Sequence, residues 1–146
     1  MTLANQRPVR RLCACLVILL PSLGGPQGAL AACTLTPTAG NDNYTCDSGS
    51  SGALTDNTGN NTLTFPANGT GTINGNVTFG AGADTVVMNS GFINGLLNVG
   101  DGVNSITIDG GTITGAVNQG SGIDNFVMRS GSILSLAQGD SRDTFL

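Results

Sequence analysis

From residue 80 onward the apolar residues come in pairs two positions apart: Val86 and Met88, Ile106 and Ile108, Phe126 and Met128, with Leu63 and Phe65 upstream. Alternation of that kind buries one face of a β-strand. Two further apolar series follow at a twenty-residue interval, Ile73, Ile93, Ile113 and Ile133, then Val77, Leu97 and Val117, with Leu136 one residue short of the period. Helical spacing is absent. Each repeat therefore predicts three short strands, punctuated by Gly91, Gly111 and Gly131 and by Gly95 and Gly115, where tight corners use the positive φ that glycine tolerates.

Three short strands cannot bury an apolar face by themselves, so repeats of this length must stack coil on coil. Four interior columns follow: Leu63, Val86, Ile106, Phe126 and Phe145; Phe65, Met88, Ile108 and Met128; and the isoleucine and Val/Leu series above. The expected fold is all-β, a parallel β-helix with rungs of about 20 residues spaced about 4.8 Å apart. It is expected over 59–146, with an insertion near Pro66-Ala67-Asn68 and one residue lost before Gly139. Asn74 with Asn94, and Asn98 with Asn118, are placed to form amide ladders along the stack.

The first residues follow another logic. Arg7, Arg10 and Arg11 precede the apolar run Leu12–Leu20, and Ala29-Leu30-Ala31 supplies the small residues of a cleavage site. This order reads as a secretory signal peptide over 1–31, too short in its apolar part to span a bilayer. A cap region over 32–58 comes next. In it Cys33 has a possible disulfide partner in Cys46, since exported chains meet an oxidising compartment. Leu30-Ala-Ala-Cys33 also fits a bacterial lipobox, which makes a surface lipoprotein anchored at Cys33 the competing reading. The spacer from Gly24 to Ala29 favours the disulfide.

Composition narrows the chemistry. Every acid is Asp and every base Arg, with no His, Lys, Glu or Trp, which leaves little for proton-transfer catalysis. No catalytic residue is assigned. Beyond residue 31, nine Asp stand against only Arg129 and Arg142, a net charge of −7 that disfavours nucleic acid as a partner. Asp124, Arg129, Arg142 and Asp143 are the only charged set available to cluster as in a polysaccharide-cleaving site, and a solvated surface group is the expected outcome. An ice-binding Thr-x-Thr array is broken where Val87 and Val127 match Thr64 and Thr107.

Copies of the form Gly-x-Gly-x-Asp/Asn, as in Gly80-Ala-Gly-Ala-Asp84 and Gly120-Ser-Gly-Ile-Asp124, resemble the calcium-binding nonapeptide of RTX β-rolls. On that resemblance Asp84, Asn104, Asp124 and Asp143 are candidate calcium ligands, because hard cations take oxygen donors. The period of twenty rather than nine argues against it. The simpler expectation is a corner in which the Asp or Asn side chain holds its own backbone.

Taken together, the leader, the Cys33 and Cys46 pair and the Gly-, Asn- and Thr-rich repeats with Gly-x-Ile-x-Gly turns resemble the passenger region of bacterial autotransporters of the type V secretion class. The resemblance covers residues 32–146. It implies a right-handed parallel β-helix, displayed on the outer surface of a Gram-negative cell as an adhesin or structural spacer. It also implies an outer-membrane translocation barrel as export partner, and a host or neighbouring cell surface as contact. A barrel has no counterpart in this chain, which breaks off within a repeat at Phe145-Leu146, so the expectation is a fragment of a longer passenger.

Overall fold

The computed structural model describes residues 32–146, and the expected leader over 1–31 lies outside the described residues. Fifteen short strands and no helix make up those residues. They wind as successive coils. The first coil holds β1 (Asn43–Thr45), β2 (Ser50–Ser51) and β3 (Leu54–Asp56); the second β4 (Thr62–Phe65), β5 (Thr72–Ile73) and β6 (Val77–Phe79). The third holds β7 (Thr85–Met88), β8 (Phe92–Ile93) and β9 (Leu97–Asn98), and the fourth β10 (Ser105–Ile108), β11 (Thr112–Ile113) and β12 (Ala116–Asn118). The fifth adds β13 (Asn125–Met128) and β14 (Ser135–Ala137), and β15 (Thr144–Phe145) opens a sixth. Equivalent strands pair in parallel into three sheets, ordered β1-β4-β7-β10-β13-β15, β2-β5-β8-β11 and β3-β6-β9-β12-β14. The chain is a β-solenoid.

Register confirms the twenty-residue frame and explains where it slips. Val86 lies opposite Ile106, and Ile106 opposite Phe126, each one period apart. Thr62 pairs instead with Thr85, three residues beyond the period, while Thr72 pairs with Phe92 on the period. The extra residues are thus confined to the turn between β4 and β5, around Pro66-Ala67-Asn68. Asn68 sits there at φ 63°, and the amides of Thr70 and Gly71 donate to the carbonyl of Asp47 at 2.7 and 3.0 Å. The lost residue falls before β14, where Leu136 pairs with Val117.

The four columns are interior through the middle coils. Leu63, Val86, Ile106 and Phe126, with Phe65, Met88, Ile108, Ile73, Ile93, Ile113, Val77, Leu97 and Val117, are almost wholly buried. Phe145 departs from the expectation. It continues the register opposite Phe126 and stacks on that ring at 5.7 Å, yet it is 65% exposed, because no strand among the described residues covers its far side. Met128, Ile133 and Leu136 are only partly buried for the same reason.

Two features lie outside the expected pattern. A complete coil falls within 43–56, inside the segment expected as a cap: Tyr44 pairs with Leu63, and Leu54 with Val77. Its offsets of 19 and 23 residues hide it from a search at twenty. A fifth interior column runs Asp56, Phe79, Val99 and Gln119, polar at both ends.

The N-terminal end is closed. Ala32 bridges Ser48, Thr34 bridges Thr45 antiparallel, and Cys33 is joined to Cys46 by a disulfide, both cysteines buried. Behind it the Tyr44 ring stacks on Phe79, and its hydroxyl donates to the carboxylates of Asp56 at 2.7 Å and Asp42 at 3.2 Å. Burial and these acids keep the phenol protonated well above its ordinary range.

The corner glycines divide into two kinds. Gly91, Gly111 and Gly131 sit at φ 76°, 84° and 96°, as a turn requires. Gly95 and Gly115 were expected to do the same, but they are not in that region; a Cβ at Gly115 would lie 2.6 Å from the carbonyl oxygen of Gly95 one coil below. Glycine is needed there for close stacking. Gly111→Ala, which meets both limits, is expected to cost about 1 kcal/mol or more in urea unfolding. Gly52→Ala, with open space around it, should stay within about 0.5 kcal/mol.

Candidate functional site

Between the third sheet and the first, the chain turns through the Gly-x-Gly-x-Asx segments. Asp42, Asn61, Asp84, Asn104, Asp124 and Asp143 each stand one residue before a strand of the first sheet, so the stack places them in a single column. Asn61, Asp84, Asn104 and Asp124 are buried, and Asp143 is half-buried. The four candidate calcium ligands are therefore neighbours along the solenoid, with one per coil.

One oxygen of each column side chain is already committed to a backbone amide. The amide of Asp42 donates to Oδ1 of Asn61 at 3.1 Å, that of Asn61 to Oδ1 of Asp84 at 2.7 Å, and that of Asp84 to Oδ1 of Asn104 at 2.9 Å. The series continues from Asn104 to Asp124 at 2.8 Å and from Asp124 to Asp143 at 2.9 Å. Each side chain thus holds the backbone of the coil before it. The expectation that it would hold its own backbone is met only in part, where Nδ2 of Asn104 donates to the carbonyl of Gly100 at 3.0 Å and that of Asn61 to Thr58 at 3.1 Å. A second series runs the opposite way on the outer side of the corner. Amides of Asn60, Ala83 and Ser121 donate to the side-chain oxygens of Asn41, Asn60 and Asp101 in the preceding coil.

This column does not fit a calcium shell. Calcium takes six to eight oxygens around one point, whereas one carboxylate per coil, with an asparagine between Asp84 and Asp124, spreads the donors along the axis. The Gly100 carbonyl is taken by the amide of Gly120 at 2.8 Å as well as by Asn104. Among the described residues, no group of three Asp, Glu, His or Cys side chains is placed to share a metal.

The remaining candidates are scattered. Asp124 is buried in the column, Arg142 is exposed, and Arg129 leaves the acids of its own corner to pair with Asp109 of the coil below at 2.6 Å. Of the two expected amide ladders, Nδ2 of Asn94 donates to Oδ1 of Asn74 at 2.9 Å. Asn98 pairs with Asn118 through the backbone, while its Oδ1 accepts from the amide of Gly100. Along the first sheet the outward column Thr64, Val87, Thr107 and Val127 alternates hydroxyl and methyl in strict register.

Sequence reasoning misses Asp42 and Asn61 as members of the column, and Asp56 and Gln119 as buried polar residues. Position before an apolar pair was the available signal: Asn61 precedes Thr62-Leu63-Thr64-Phe65 as Asp84 precedes Thr85-Val86-Val87-Met88. Comparison with known protein families, with curated proteins and with solved structures finds no match to this chain.

Asn104→Ala removes one acceptor and strands the buried amide of Asp84, an expected loss of about 1–3 kcal/mol in urea unfolding. Calcium added at millimolar concentration should leave the far-ultraviolet circular dichroism unchanged, whereas a large gain in strand signal would restore the RTX-like reading.

Proposed function

We propose that the chain is an exported passenger segment, displayed on the outer surface of a Gram-negative cell and acting along its length as an adhesin or structural spacer. The observation that carries this reading is the continuous first sheet. Its outward residues Thr62, Thr64, Thr85, Val87, Ser105 and Thr107 form a long uncharged wall that every coil extends by the same increment. A surface of that kind makes many weak contacts rather than one deep one. The leader pattern over 1–31 supports export. The Cys33–Cys46 bond at the closed end suits an oxidising compartment, and a cysteine held in that bond carries no lipid, which weighs against the lipoprotein alternative. An outer-membrane translocation barrel is the partner this reading requires. The assignment is non-enzymatic, in keeping with the absence of His, Lys and Glu.

Proteolytic shaving of intact cells that carry the native protein, followed by non-reducing peptide mapping, tests the proposal. Release of peptides from 32–146, an N-terminus at Ala32 and a Cys33–Cys46 crosslink are expected. Retention inside the cell with residues 1–31 attached would overturn export, and a lipid on Cys33 would move the protein to the lipoprotein class.

A further inference from the structure

The corner column uses only one oxygen of each carboxylate. Oδ1 of Asp84 and of Asp124 each accepts a backbone amide, but Oδ2 of both is buried and has no hydrogen-bond partner among the described residues. Oε1 of Gln119 is a third buried acceptor without a donor, in the same corner as Asp124: its Nε2 reaches the carbonyl of Asn125. Leaving such groups unpaired in a dry interior is costly, and more so when they are ionised. Asn61 and Asn104 fill the same column with an amide that carries no charge and bonds through both ends.

We propose that Asp84 and Asp124 make the solenoid an acid-tightened clasp, most resistant to unfolding at mildly acid pH and looser at neutral pH. A proton on Oδ2 removes a buried charge and converts an unpaired acceptor into a hydroxyl donor, which brings each aspartate close to the chemistry of its asparagine neighbours. Among the described residues, the charged groups acting on these two are all carboxylates: Asp56 on Asp84, and Asp143 and Asp101 on Asp124. Burial raises both carboxyls above the ordinary range, and those neighbours add to it, against the opposing pull of the amides of Asn61 and Asn104.

For such a group the folded chain holds a proton that the unfolded chain has released. Stability is therefore greatest near the unfolded value and declines as pH rises through the raised folded value. Asp42 and Asp101 act in the other direction. Hydrogen bonds from Thr38 and Ser121 lower their carboxyls, so their support is present above the ordinary carboxylate value and fades only below it. The two windows meet at the ordinary carboxylate value, so the joint contribution of these four groups is largest there and declines toward neutral pH.

Urea unfolding of the full chain from neutral to acid pH tests this, with Asp84→Asn, Asp124→Asn and, as a control for lost charge, the exposed Asp140→Asn. For the wild type, the logarithm of the unfolding constant should rise with pH by about one unit per pH unit for each buried carboxyl within its window. Each corner variant should lose its share of that slope and gain stability at neutral pH, while Asp140→Asn keeps the slope. Carboxyl carbon-13 titration should place Asp84 and Asp124 above the ordinary carboxylate range. An unchanged slope in the double corner variant, or an equal loss in Asp140→Asn, would overturn the proposal.

Discussion

A coil of this solenoid bonds little within itself, so most of its backbone groups must find a partner one coil away. Along the three sheets the parallel ladder meets that demand. At the corners the ladder stops, and the amides of Asp42, Asn61, Asp84, Asn104 and Asp124 would be left unpaired beside the core. A short side-chain oxygen from the next coil closes the gap. Both Asn and Asp have the reach, which is why the position admits either residue, and why the twenty-residue period is enforced by polar residues as firmly as by the apolar columns.

The core follows the same constraint. Coils that must lie in register put like residues over like, so Ile73, Ile93 and Ile113, or Val86 and Ile106, fill a narrow interior with few aromatics. Glycine at Gly95 and Gly115 lets backbones approach at the corner, and the disulfide and Tyr44 close the end of the first coil among the described residues.

Much of this architecture was legible in the amino-acid sequence, because a repeated environment leaves a repeated residue. The columns from Leu63 to Phe126 and from Ile73 to Ile113 could be written down from spacing alone. Spacing failed where the coil changed length: the coil over 43–56 went unseen because its offsets from the next are 19 and 23. It failed also where an end coil lacks a neighbour, as at Phe145. The corner column was visible as a pattern but its chemistry was not. A period tells which residues are equivalent and nothing about direction, so a side chain bonding across coils reads the same as one bonding its own turn. Composition likewise could not reveal that Asp84 and Asp124 are buried with one oxygen unpaired, since the surrounding residues are mostly small and polar.

The turn that carries Pro66, Ala67 and Asn68 separates two properties that are joined everywhere else in the molecule. Chain leaves the stack after Phe65 and returns at Thr72 in register, although three residues have been added. Contour length and axial rise are uncoupled at that point. Evolution, or a protein engineer, could hang a longer peptide there and alter what the rod presents to its surroundings while the rod itself keeps its dimensions.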